Sequence, residues 1–159
     1  VPRKILVPFD GSEPAELALR WALLDAHDHG FPIKIMYVVD ERSLDELTGF
    51  APKETVLKEL RGRGERILNR AERMANELGV DVEIEKKVRV GVPWREIVRE
   101  AEDDEEINLI VLGSHGRTGL EKLILGSVAE NVIRYSPVNV LVVKHEKRIE
   151  DSVDEAPRP

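Results

Sequence analysis

Cysteine is missing from all 159 residues, which excludes disulfides, thiolate chemistry and cysteine-based zinc or iron–sulfur sites. Glutamine is absent too, methionine occurs twice, and 35% of the residues are charged. Few thermolabile residues beside abundant Glu, Lys and Arg match the composition of thermophile proteins, so a thermophilic source is expected. Positive charge is in deficit: 24 Lys and Arg face 31 Asp and Glu, for a formal charge of −7. Nucleic acid and anionic membrane both need a basic face, so neither is an expected partner. No apolar run approaches the roughly 20 residues that span a bilayer. The opening Val1-Pro2-Arg3-Lys4 runs into a strand pattern without an apolar leader core, and a cytoplasmic location is expected.

With 42% hydrophobic residues, the chain can bury one core but is short for two domains. Residues 1–145 read as one domain. Residues 146–159 are charged and proline-bearing and read as a mobile tail. Lys4 to Pro8 is a short apolar run followed by Asp10-Gly11-Ser12-Glu13-Pro14, a turn and a helix start with Ser12 as N-cap. Leu17, Ala18, Trp21, Leu24 and Asp25 recur at helical spacing as the apolar face of helix 1, and Gly30 ends it. Ile33 to Val39 is β-branched and reads as strand 2. A polar loop follows, with room for a short helix. Pro52 to Leu78 holds helical spacing to Gly79, although Gly62 and Gly64 weaken its first half by about 1 kcal/mol each and are expected to bend or fray it. Val82 to Val90 is strand 3, and Trp94, Ile97, Val98 and Ala101 form the face of helix 3. The acidic run Glu102 to Glu106 reads as a solvated loop. Trp21 and Trp94 are expected in the core. Ile107 to Leu112 is strand 4, Ser127 to Tyr135 helix 4, and Val138 to Val143 strand 5. Alternating strands and helices imply an α/β doubly wound domain, a five-stranded parallel sheet with helices on both faces; the strand order expected for it is 3-2-1-4-5. Such sheets bind ligands where neighbouring strands send their helices to opposite faces.

Between strand 4 and helix 4 lies Gly113-Ser-His-Gly116-Arg-Thr-Gly119-Leu-Glu-Lys-Leu-Ile-Leu-Gly126-Ser127. Glycines at 113, 116 and 126 allow positive φ and a close approach of backbone to ligand. A helix opening at Ser127 aims free N–H groups and its positive dipole end at an anion. This is the shape of a phosphate site. Two familiar signatures are missing, since there is no G-x-x-x-x-G-K-[ST], and the turn Phe9-Asp10-Gly11-Ser12 lacks G-x-G-x-x-G. A ligand-free reading also exists, because Ser127 and Glu130 have the spacing of a capping box. Asp10 is open to two readings, a cap for its own turn or a ligand contact. His115 either faces solvent or touches phosphate, and Arg117 and Lys122 either neutralise phosphate or keep the loop soluble. His27-Asp28-His29 looks metal-like, but positions i and i+2 do not share a helical face, so it reads as surface.

From Ile5-Leu-Val-Pro8-Phe-Asp10 through Val38-Val39-Asp40-Glu41-Arg42 and Gly91-Val92-Pro93 to the stretch from Gly113 to Lys144, the chain resembles the universal stress protein family, in particular its ATP-binding branch. The motif G-2x-G-9x-G-[S/T] of nucleotide-competent members is complete as Gly113, Gly116, Gly126 and Ser127. The resemblance implies adenine against Val38, with Asp10 at the base or ribose. It implies Pro8 and Gly113 at the ribose, Leu112 flanking the adenosine, and phosphates on Gly116, Gly126, Ser127 and Val128; His115 joins the candidate contacts by its place inside the loop. The expected cofactor is ATP, or ADP or AMP, with Mg²⁺ or Mn²⁺ bridging phosphates and no dedicated metal cage in the protein.

Three functions follow as expectations. One is a nucleotide-dependent switch read by a downstream protein partner. Another is a slow ATPase using Asp10 or a metal-bound water, though no residue stands out as the base that orients water. The third is a nucleotide-free dimeric scaffold. Strand 5 is an apolar sheet edge, and the resemblance implies a homodimer through Val138 to Val143 of two copies.

Overall fold

A computed structural model describes residues 3–114 and 125–144. The proposed tail and the middle of the glycine loop, with His115, Gly116, Arg117 and Lys122, lie outside the described residues. Five strands form one sheet in the order β3-β2-β1-β4-β5, and each neighbouring pair is parallel. They are β1 (Lys4–Pro8), β2 (Ile33–Asp40), β3 (Ile84–Gly91), β4 (Ile107–Gly113) and β5 (Asn139–Val143). The helices are α1 (Glu13–His29), α2 (Glu41–Leu47), α3 (Lys53–Leu78), α4 (Pro93–Asp103) and α5 (Ser127–Tyr135).

Strand side chains alternate between faces, and both faces are covered. Ile5, Val7, Ile35, Tyr37 and Val111 join one core with α1 and α3. Leu6, Met36, Ile110 and Leu112 join another with α4 and α5. Helices after β1 and β2 therefore lie on one face and those after β3 and β4 on the other. The change falls between the adjacent β1 and β4, which leaves a crevice at their C-terminal tips.

Helix α1 starts and stops as its sequence indicates. Ser12 Oγ accepts the Ala15 N–H at 3.3 Å, and Gly30 ends the helix in the left-handed region with φ 71°. Its buried face is rotated from the one expected and shares only Ala18 with it. Ala15, Ala18, Leu19, Ala22, Leu23 and Ala26 point inward, while Trp21 and Leu24 are exposed. Small alanines let the helix approach the sheet closely, which outweighs the greater hydrophobicity of the other stripe. Trp94 is only half-buried and stacks on Tyr135 with ring centroids 5.0 Å apart.

Helix α3 runs unbroken through Gly62 and Gly64, so its first half does not fray, and Gly64 is buried against the Tyr37 ring. The acidic run is only in part a solvated loop: residues 104–106 form a largely exposed turn, but its start is helical and the carboxylates of Asp103, Asp104 and Glu106 are paired. Helix α4 continues to Asp103, whose carboxylate meets Arg89 at 2.7 Å. Asp104 holds Lys4 at 2.9 Å and also Lys34, and Glu106 holds Lys4 at 3.1 Å. Lys34 reaches the buried Glu100 at 2.8 Å as well. Lys4 opens β1 and Lys34 is the second residue of β2, so this network closes the N-terminal end of the sheet, opposite the crevice.

Candidate functional site

The tips of β1, β2 and β4 and the start of α5 enclose a cavity of about 510 Å³, within the ordinary range for small-molecule sites. Eight of the ten residues singled out in the sequence line it. Pro8 and Asp10 leave β1, Val38 lies near the tip of β2, Leu112 and Gly113 end β4, and Gly126, Ser127 and Val128 open α5. The other two, His115 and Gly116, lie outside the described residues.

The local structure corrects how three of these work. Gly126, with φ −61° and ψ 157°, is the N-cap of α5, and no side chain caps the helix. Ser127 is therefore the first helical residue, and the capping box with Glu130 does not form. The first N–H groups of a helix have no partner within it, so this start leaves main-chain donors at the cavity wall. Gly113 does not adopt positive φ. Its lack of a side chain serves packing, since a Cβ there would lie 2.7 Å from the Pro14 carbonyl oxygen. Positive φ is used instead by Gly11, at 83°, in the turn after β1. The ends of the glycine loop are tied together, as the Gly126 N–H donates to the Ser114 carbonyl at 2.7 Å and the Ser114 N–H donates to Val143 at 3.2 Å.

Asp10 serves its turn, where Oδ1 accepts the Ser12 N–H at 2.9 Å, and also lines the cavity. The turn-capping reading therefore holds, and the position also faces the cavity. Sequence reasoning missed the wall facing α5, which is built from Arg42, Ser43 and Glu46 of α2 and Leu60 and Arg63 of α3. Arg42 is clamped by Asp40, with Nη2 2.9 Å from Oδ2, and that hydrogen bond raises the guanidinium pKa. The one available signal was the polar run directly after strand 2, which forms α2 with Asp40 as its N-cap. Among the described residues no group of three His, Asp or Glu side chains could hold a metal ion. No described helix is long and apolar enough to cross a membrane.

The sequence profile of the universal stress protein family matches residues 2–144. The chain belongs to that family. Among its relatives, this universal stress protein is 36% identical to the universal stress protein MJ0577 of Methanocaldococcus jannaschii, over 89% of this chain and 94% of the relative. The solved structure of MJ0577 superposes with a TM-score of 0.78 at 33% identity, over 92% of this chain and 99% of that one. A universal stress protein solved in complex with cAMP aligns with a TM-score of 0.69 and 27% identity, covering 91% of this chain and 98% of that one. A universal stress protein from Archaeoglobus fulgidus, solved in complex with dAMP, aligns with a TM-score of 0.62 and 25% identity, covering 89% and 98%.

Proposed function

We propose that this universal stress protein binds an adenine nucleotide in the cavity at the tips of β1, β2 and β4, and acts as a nucleotide-dependent switch. The observation that carries the reading is the uncapped start of α5, whose main-chain N–H groups adjoin a cavity of mixed apolar and polar lining. Family members of the same fold in complex with cAMP and dAMP support the ligand class. Adenine lies against Val38 and Leu112, with Asp10 at the base or ribose and Pro8 and Gly113 at the ribose. The phosphates lie on Gly126, Ser127 and Val128, and on His115 and Gly116 of the loop.

The electrostatics favour this arrangement despite the −7 charge of the chain. Charges more than about 8 Å away are largely screened at physiological salt, so local donors decide. Each N–H to phosphate bond nets roughly 1.5 to 3 kcal/mol. A few of them offset the association cost and leave an affinity on the order of micromolar. The described carboxylates lining the cavity are Asp10, Asp40 and Glu46, and Asp40 is engaged by Arg42. That donor set suits a Mg²⁺ or Mn²⁺ taking most of its ligands from phosphate and water.

The partner reading is a homodimer through β5. This strand ends the sheet on one side, and unpaired edges invite a further strand. Helices α1 and α5, which pack on β5, leave Trp21, Leu24, Ile133 and Tyr135 exposed.

Calorimetric titration of ATP with Mg²⁺ into the purified chain tests the ligand. One nucleotide per chain, with a raised unfolding midpoint at saturation, is expected. No heat and no change in midpoint would refute the reading.

A further inference from the structure

Glycine is unfavourable inside a helix, yet α3 carries one at 64 that is buried, where a Cβ would lie 2.5 Å from Cδ1 of the Tyr37 ring. The α3 backbone therefore rests directly on β2, one residue before Val38. Arg63, the preceding residue of the helix, reaches the cavity wall from there. Two guanidinium groups line the cavity among the described residues. Arg42 is held by Asp40, whereas Arg63 is exposed and has no ion-pair or hydrogen-bond partner among the described residues.

Position decides what this group meets. The start of α5 is tied to Ser114 beyond the tip of β4, while α3 packs on β2 and β3. Strand β1 separates β4 from β2, so two strand spacings, about 10 Å, lie between the two walls. Val38 packs toward α4 and α5 while its neighbour Tyr37 packs under α3, so a ligand with its phosphate at Ser127 and its base over the tip of β2 has its base end in the part of the cavity that Arg63 also lines.

We propose that Arg63 is a base-binding residue, its planar guanidinium lying over the purine, and that Gly64 positions it by letting the helix backbone touch Tyr37. The inference rests on the nucleotide reading above and adds to it a side chain outside the glycine loop. Guanidinium groups stack on aromatic faces, which an ammonium group cannot do in the same way.

Displacement of a fluorescent ATP analogue by ATP and by AMP, measured on the wild-type chain, Arg63→Ala and Arg63→Lys, tests it. Arg63→Ala is expected to weaken ATP and AMP by the same factor, about five- to tenfold, and Arg63→Lys to recover little of the loss. Unchanged affinities would overturn the inference. So would a loss several times greater for ATP than for AMP, which would place Arg63 on the outer phosphates. Failure of the wild-type chain to bind the analogue, ATP or AMP would instead refute the nucleotide reading itself, and this inference with it.

Discussion

Gly62 and Gly64 stand two residues apart in one helix and answer to different demands. A Cβ at 62 meets only Nη1 of Arg66, at 3.4 Å, the end of a flexible side chain. Gly62→Ala is expected to raise stability by up to about 1 kcal/mol through helix propensity. At 64 the Tyr37 ring is only 6% exposed and has little room to yield. There the overpacking cost of about 1 to 3 kcal/mol exceeds the propensity gain, and Gly64→Ala is expected to lower stability. Urea midpoints at unchanged slope check the pair, and a Gly64→Ala chain as stable as the wild type would contradict the packing account. Gly113 teaches the same lesson. A glycine that reads as room for a ligand is also required by the Pro14 backbone, and sequence cannot separate the two needs.

The C-terminal end of α4 shows how an element can hide its role. Burial by itself would raise the Asp104 carboxyl, but hydrogen bonds from Lys34 and then Lys4 overcome this and hold its pKa at about 2. A carboxyl depressed on folding adds stability above its unfolded pKa and loses it as pH falls through the folded value. Stability is therefore expected to decline between about pH 5 and pH 2, with Asp104 contributing on the order of 2 kcal/mol. Lys4 is shifted the opposite way. Burial lowers its pKa, but hydrogen bonds to Asp104, Glu106 and Glu85 more than offset this and raise it, so its contribution holds below the ordinary lysine value and is lost only at more alkaline pH. Asp104→Asn should flatten the acid limb and destabilise the chain by about 2 kcal/mol, since it removes one carboxylate while Lys4 keeps Glu85 and Glu106 and Lys34 keeps Glu85 and Glu100. Denaturant unfolding at pH 7 and pH 3 measures both effects, and an acid limb unchanged by the substitution would contradict this assignment. Caps and periodicity made the helix spans legible, as at Ser12, Gly30 and Gly79. The ion network was not legible, because Lys34 and Asp104 are 70 positions apart. The inward stripe of α1 was not legible either, because its alanines signal close approach rather than hydrophobicity.

For the molecule as a whole, the parallel sheet and its crevice followed from the alternation of strands and helices, while the eight candidate residues now found around one cavity followed from the family resemblance. The α2 and α3 wall did not follow, since nothing in a polar run after a strand says that it folds back over the tips. If two copies join at β5, Leu24→Glu combined with Ile133→Glu should give a monomer by light scattering while far-UV circular dichroism is retained. A dimer that survives the double change would argue against that edge. The central claim concerns main-chain donors at the start of α5, and one substitution reaches them selectively. Proline is well tolerated at the first helical position, and Gly126, with ψ 157°, already has the extended backbone that must precede it. Ser127→Pro therefore deletes one N–H while sparing the helix, and Ser127→Ala deletes only the hydroxyl. Calorimetric ATP titrations of the two variants should show at least about a tenfold weaker affinity for Ser127→Pro than for Ser127→Ala, at similar unfolding midpoints. Equal affinities in two equally stable variants would contradict the claim that the backbone of α5 holds the phosphate.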